Sequence, residues 1–420
     1  MFSVAGGSGH LHPLMPLASA LRQAGHDVAF AVSVSLRRTV EASGFPVFQV
    51  GGKLAADPEY QQFRAERSAM PVGLATELLV YPRLFVGMGA RMRTPELVAI
   101  CKAWLPDMLI RETGEYGAVV AAERLGLPHA AVSFAASLKA LMIFEREAAT
   151  FLDPVRQLWG LPADPAFAAP YRYLLLNYAP PAFSTHDVGG QGLGLRSYVP
   201  TSATASIPAT THFIRPEIFD NAGDERLPDW MAGLPDQPTV YATLGTEVNS
   251  EPDLYPSVLQ TIIEGLRDLP VNLIVTLGRD KEPADFGPQP ANVHIERYIP
   301  QSLLLGLCDL TVMHGGSNSL LAAVDAGLPM VLVPLIADQF FNAQAAESLG
   351  LAQVVQREQL TAVSIRSAVE KVASDPAYRQ RVAQMRADMQ VLPDQSHAVE
   401  LVERVAYGDI PVLPTGWPYR

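Results

Sequence analysis

The stretch "GGSGHLHP", from Gly6 to Pro13, puts a histidine behind closely spaced glycines. An imidazole that is neutral near pH 7 can take a proton from a hydroxyl when it sits at the rim of a site and an acid orients it. His10 has the type and the place for such a base. Glu112 closes the apolar run "DMLIRE", and the carboxyl end of a strand is where ligands gather in open α/β sheets. Glu112 is therefore read as the orienting acid, with Glu115 the weaker substitute. The plainer reading stays open: His10 can cap or pack, and Glu112 can be a solvated strand end. His12 is read as structural, and the two histidines lack a third ligand for zinc.

A second constellation lies in "VMHGGSNSLLAAVDAGLPMVLVPLIADQFFNA", Val312 to Ala343. An apolar strand breaks at Gly315 and Gly316 and runs into the helix "SNSLLAAVDAG". A strand, a glycine turn and a helix start leave backbone N–H groups unpaired at the positive end of a helix dipole, which suits a phosphate. His314, Gly315, Gly316, Ser317, Asn318 and Ser319 stand at this strand end, and Gly245 with Thr246 stand at another. Together they can grip one diphosphate. Taken separately, Ser and Asn are also ordinary helix caps.

These residues need a scaffold of strands and helices. Phe2–Ala5 reads as a strand, Gly6–Gly9 as a tight loop, residues 11–24 as one helix ended by Gly25, and "HDVAFAVS" as the next strand. "DMLIRE" and "HAAVSF" continue the sheet around a crossover helix in "EYGAVVAAERLGLP". That is a doubly wound parallel domain. Residues 51–94 and 135–181 read as helices and loops roofing a cleft, and the apolar window 71–90 as a mobile pocket wall. Residues 198–238, rich in Thr, Ser, Pro, Asp and Gly, read as an interdomain connection. A second doubly wound domain then follows in "TVYATLGT", "VNLIVTLG", "HIERYIP", "LTVMH" and "PMVLVPL". The expected organisation is a first domain over 1–212, a linker over 213–237, a second domain over 238–394, and a C-terminal helix and tail over 395–420 packing back toward the first domain.

Bulk properties exclude several classes. A chain of 420 residues exceeds one core, so two domains are expected. A net charge of -12 leaves no basic surplus for nucleic acid or an acidic membrane, so any phosphate must be held locally. Cys101 and Cys308 are far apart and carry no metal or redox spacing, which suits a reducing compartment. The start "MFSVAGGSGH" lacks the pattern of a secretory signal, and the apolar window is interrupted by Glu77, Pro82 and Arg83, so a cytoplasmic protein without a membrane span is expected.

In order and spacing, "GSGHLHPLMPLASALRQAGHDVAF", "LPDMLIRE", "PTVYATLGT", "RYIPQSLLL" and the His314 segment resemble the family-1, GT-B-fold glycosyltransferases, most closely the actinomycete antibiotic and natural-product group with its enediyne and macrolide sugar transferases. The resemblance implies an α/β GT-B fold of two doubly wound Rossmann-like domains facing across a cleft, the first binding an acceptor and the second a nucleotide-sugar. It implies inverting transfer of a sugar from a nucleoside diphosphate to a hydroxyl or similar nucleophile of a lipophilic aglycone, without a metal or cofactor. His10 matches the family's base, and Glu112 stands where many members have Asp. Thr246, His314, Ser317, Asn318 and Ser319 match diphosphate positions, Asp338 and Gln339 the pair that binds sugar hydroxyls, Tyr298 the base-stacking position, and Ile299 the backbone that reads the base edge. Ala322 replaces a Glu that binds both ribose hydroxyls in plant and some bacterial members, which fits a dTDP-sugar, commonly a deoxysugar, over a UDP-sugar. Phe85, Met88, Phe134, Leu138, Met142 and Phe144 are candidates for the acceptor wall, with core packing an equal reading for each. UDP-sugar use, an epimerase or hydrolase, and a nucleotide-sugar-binding protein without transfer activity remain alternatives, and a homodimer is an open assembly.

Overall fold

A computed structural model describes residues 1–52, 56–71, 73–188, 206–220, 225–246, 248, 254–408 and 410–414. Parts of the expected connection (198–205 and 221–224) and of the tail (415–420) lie outside the described residues. The chain divides into two compact units, one built on Met1–Thr185, Arg196–Phe219 and Leu392–Arg420, the other on His186–Leu195 and Asp220–Val391.

In the first unit the described strands are β1 (Phe2–Ser3), β2 (Phe30–Val32), β3 (Val47–Gln49), β4 (Leu109–Glu112), β5 (His129–Val132), β6 (Leu175–Asn177) and β7 (Thr211–Phe213). They form one parallel sheet in the order β3-β2-β1-β4-β5-β6-β7. Helices cover both faces of a parallel sheet, so its inner strands are largely apolar, with the buried Arg111 and Glu112 ending β4. Phe2, Phe30, Val32, Ile110 and Val132 accordingly pack in one core with Leu14, Leu17 and Leu21 of the helix Leu14–Gln23. Leu401, Val402 and Val405 of the helix Gln395–Ala406 join the same core.

The second unit repeats the plan with β8 (Thr239–Thr243), β9 (Asn272–Thr276), β10 (Val293–Glu296), β11 (Leu310–Met313), β12 (Met330–Leu332) and β13 (Ala352–Val354). All are parallel, in the order β10-β9-β8-β11-β12-β13. The fold class read from the sequence, two doubly wound parallel-sheet domains, is the observed one.

Both sheets reverse their strand order once, between β1 and β4 in the first unit and between β8 and β11 in the second. Ligands of doubly wound sheets bind outside the carboxyl ends of the strands at such a reversal. His10 follows β1 and Glu112 ends β4. Gly245 follows β8 and His314 follows β11. Each expected pair therefore stands at its own unit's switch point.

Two local expectations need correction, and a third segment takes a more specific form. The single helix over residues 11–24 is two, Ser8–Leu11 and Leu14–Gln23, because Pro13 has no N–H to continue the ladder. The segment read only as a connection contains β7, whose residues Thr211, His212 and Phe213 are too few and too mixed to show a period of two. The window 71–90 is mainly helical in its described part: the helix Leu74–Tyr81 passes into a π-helix, Pro82–Gly89, and on into the helix Ala90–Trp104.

Candidate active site

In the first unit, Nδ1 of His10 faces Oε2 of Glu112 at 3.1 Å. The Glu112 side chain is wholly buried, and the imidazole keeps 17% of its surface exposed, so the acid is sealed while the histidine remains reachable. The Ala5 amide donates to Glu112 Oε1 at 3.0 Å, and the Gly114 amide donates to Oε2. Burial alone would raise the Glu112 pKa, but His10 and these two amides outweigh it and hold the carboxyl below its ordinary value. With Nδ1 turned to a carboxylate, Nε2 is the ring nitrogen left to accept a proton.

Two glycines make room for the pair. A Cβ on Gly6 would stand 2.3 Å from the His10 ring, and one on Gly114 would stand 3.0 Å from Glu112 Oε2. Glu115, the weaker substitute, is engaged elsewhere. Arg93 pairs with its Oε2, Ser3 Oγ donates to that same oxygen at 3.0 Å, and its Oε1 caps the helix Tyr116–Leu125 through the Ala118 amide. His12 meets the Phe219 ring edge-on at 5.5 Å.

The candidate acceptor residues divide. Phe134 and Phe85 lie nearly parallel to the His10 ring, with centroids at 4.0 Å and 5.6 Å. Met88 is buried in a small separate cluster with Phe63 and Val80. Leu138 is fully buried, Met142 is half-buried, and Phe144 packs on Tyr81. Beneath this region Tyr116 and Tyr171 both donate to Oε1 of the buried Glu145, and the Tyr81 and Tyr116 hydroxyls meet at 2.9 Å.

In the second unit, Gly245 at φ 70° and Gly315 at φ 86° turn the chain after β8 and β11. The helix Ser317–Ala326 starts at Gly316 and stops at the left-handed Gly327. His314 is buried between the turns: a Cβ on Gly245 would come within 2.7 Å of its ring and one on Gly316 within 2.5 Å. Burial lowers the His314 pKa to about 4 against a backbone hydrogen bond with Thr243, so the ring is neutral at pH 7. Ser317 Oγ donates to Asp338 Oδ2 at 2.7 Å, and Asn342 Nδ2 reaches Asp338 Oδ2 at 2.9 Å and the Gly315 carbonyl at 3.0 Å. Gln339 Oε1 accepts from the Leu335 and Ile336 amides at 3.0 and 3.1 Å, which fixes the loop entering its helix.

Thr246 follows Gly245 in the turn, and Asn318 and Ser319 lie half-buried in the first helical turn. Gln301 Nε2 donates to Ser319 Oγ at 3.3 Å. Tyr298 and the buried Ile299 follow β10. The Tyr298 hydroxyl donates to the Asp220 carbonyl, and the Arg279 guanidinium lies 3.7 Å over its ring. A cleft of about 580 Å³ is lined by both residues together with Glu225, Arg226 and Pro300.

Sequence reading missed Arg279, Gln301, Asn342 and the cradle at Gly114. Asn342 was within reach, since it stands four residues after Asp338 on one helical face. Arg279 gave no signal, because nothing in its neighbourhood indicates that it folds onto Tyr298. Among the described residues no group of three or more His, Cys, Asp or Glu is placed to hold a metal ion, and no helix is long and apolar enough to cross a membrane.

Two doubly wound units, each with its loops gathered at a switch point, are the architecture of GT-B glycosyltransferases. Residues 260–405 match the family model described as erythromycin biosynthesis protein CIII-like, C-terminal domain. Over 97% of its length the chain is 26% identical to 3-alpha-mycarosylerythronolide B desosaminyl transferase of Saccharopolyspora erythraea, covering 98% of that protein. Among solved structures, spinosyn rhamnosyltransferase SpnG superimposes with a TM-score of 0.77 at 20% identity, over 96% of this chain and 99% of that one. Glycosyltransferase VinC in complex with dTDP does so with a TM-score of 0.72 at 23% identity, over 97% and 100%. The chain is a sugar-transferring enzyme, similar over nearly its whole length to glycosyltransferases of the actinomycete natural-product type.

Proposed function

We propose that the chain moves a sugar, a deoxysugar by preference, from a dTDP donor to a hydroxyl of a lipophilic natural-product aglycone in one inverting displacement, with His10 as base. The observation that carries this reading is the His10–Glu112 contact, which leaves Nε2 as the basic nitrogen. The acceptor O–H bond breaks as its proton passes to Nε2. The acceptor oxygen closes on the anomeric carbon, and the bond from that carbon to the diphosphate oxygen breaks with its electron pair leaving on the diphosphate. Glu112, held below its ordinary pKa by His10 and by its amide donors, stabilises the imidazolium.

The first unit supplies the base and the second grips the donor. A neutral His314 can offer the diphosphate only a hydrogen bond, so its charge is met by backbone N–H groups and the start of the helix Ser317–Ala326. Asp338 and Gln339 bind the sugar, and Tyr298 and Ile299 bind the base. No metal enters the scheme. Two observations support dTDP. Ala322, buried in the helix Ser317–Ala326, has no carboxylate for a ribose 2′-hydroxyl, and VinC, with the same fold, was solved with dTDP.

The deciding experiment pairs matched dTDP- and UDP-glucose with a panel of lipophilic acceptors, follows products by mass spectrometry and reads the new anomeric configuration by NMR. The reading requires product from dTDP-sugar with inverted configuration, undiminished in EDTA, and loss of most turnover in His10→Ala with dTDP binding intact. Retained configuration, a clear UDP preference, or near-normal turnover of His10→Ala would overturn the corresponding part.

A further inference from the structure

The rings beside His10 are oriented in a way that an acceptor wall does not require. The Phe134 ring lies over the imidazole with centroids 4.0 Å apart and planes 24° apart, and the Phe85 ring lies 5.6 Å away at 15°. Each turns one face toward the imidazole. Both are half-buried, and although Phe85 also packs on Tyr81 with centroids 5.3 Å apart, the near-parallel stack on His10 is what the two rings share.

They come from separate elements. Phe134 stands two residues beyond the end of β5, and Phe85 projects from the π-helix Pro82–Gly89. Glu112 holds the imidazole at one edge through Nδ1, and the parallel rings fix the plane about that edge. Together they determine where the Nε2 lone pair points.

We infer that Phe134, supported by Phe85, is a positioning residue for the transfer step: its π face holds the plane of the His10 ring and stabilises the positive charge that the ring acquires with the acceptor's proton. The face of an aromatic ring is the negative end of its quadrupole and attracts a cation stacked on it. In the proposed scheme the charge on His10 arises with proton transfer, so the effect lowers the barrier without tightening donor binding. The inference rests on His10 being the base. It also limits the acceptor, which meets the edges or outer faces of these rings, since the inner faces are given to the imidazole.

The test replaces Phe134 with mono-, di- and trifluorinated phenylalanine, which keep the shape of the ring while draining charge from its face. The expected result is a stepwise fall in kcat, reaching about three- to thirty-fold across the series, with the donor KM unchanged and the dTDP-bound melting temperature level. Phe134→Leu should lose at least as much, and Phe134→Tyr should recover most of it. A flat fluorine series, or Tyr no better than Leu, overturns the inference. His10→Ala is assayed alongside. If it keeps turnover, the base assignment itself has failed; if it is inactive while the fluorine series is flat, only the role given to Phe134 has failed.

Discussion

Gly6 lies directly against the ring of His10, where a Cβ would stand 2.3 Å from Cγ, a distance at which something must shift. The imidazole is the nearest atom group, so Gly6→Ala should push the ring away from Glu112. The expected outcome is a fall in kcat of about a hundred-fold, the scale on which a misplaced general base loses its contribution, with dTDP affinity by calorimetry unchanged. Near-native turnover would mean that the loop can absorb the methyl group and that the ring position is not critical.

Gly245→Ala tests the second unit. The residue has φ 70°, and its Cβ would reach within 2.7 Å of the His314 ring. The left-handed conformation alone costs about 1–2 kcal/mol for a residue with a side chain. A drop in dTDP affinity of about ten-fold or more is expected, with the melting temperature of the nucleotide-free protein lowered as well. Unchanged nucleotide affinity would remove the turn after β8 from the donor site.

Glu112→Gln should fail although it keeps the size of the side chain. Both carboxylate oxygens accept backbone amides, from Ala5 and from Gly114, so an amide group must turn its own N–H toward one of them. Leaving one buried donor unmet costs about 1–3 kcal/mol, readable by urea unfolding at pH 7. The pH dependence has a definite sign. A carboxyl whose folded pKa is depressed contributes stability that is present above its ordinary value and lost as pH falls through the lowered one. The wild type should therefore lose this contribution on acidification, and Glu112→Gln should not show that loss.

Glu145 has the opposite sign. Burial raises its pKa from 4.5 to about 7, against the Tyr116 and Tyr171 hydrogen bonds and the charge of Arg111. A raised carboxyl favours the folded state while it is protonated there, so its contribution is complete below pH 4.5 and is lost as pH rises to about 7. Glu145→Gln, which mimics the protonated form, should flatten the stability profile across that interval in thermal melts. A profile that is unchanged in the variant would assign the slope to another group.

Much of the scaffold was legible because its signals are local. The turns at Gly245 and Gly315 and the stop at Gly327 all use left-handed backbone that glycine supplies, and the crossover helix Tyr116–Leu125 ends at Gly126 for the same reason. What was not legible depends on distant chain. The strands not read, β3, β6, β7 and β13, are short segments that exist because a neighbouring strand pairs with them. The placing of Phe134 and Phe85 on His10, and of Arg279 on Tyr298, is invisible in one dimension. Composition could nominate the aromatic residues but could not say which way their faces turn.

The π-helix at Pro82–Gly89 has a consequence for how this enzyme can diversify. A π turn holds one more residue than an α turn in the same span, so a one-residue deletion there lets the segment rewind as ordinary helix while the flanking helices keep their seats. Phe85 would then be carried round the axis, away from the imidazole, with no change in the identity of any neighbour. Segment length, independent of side-chain chemistry, is thus a dial on the ring that overlies His10, and insertions or deletions at this point would re-aim it in a single step.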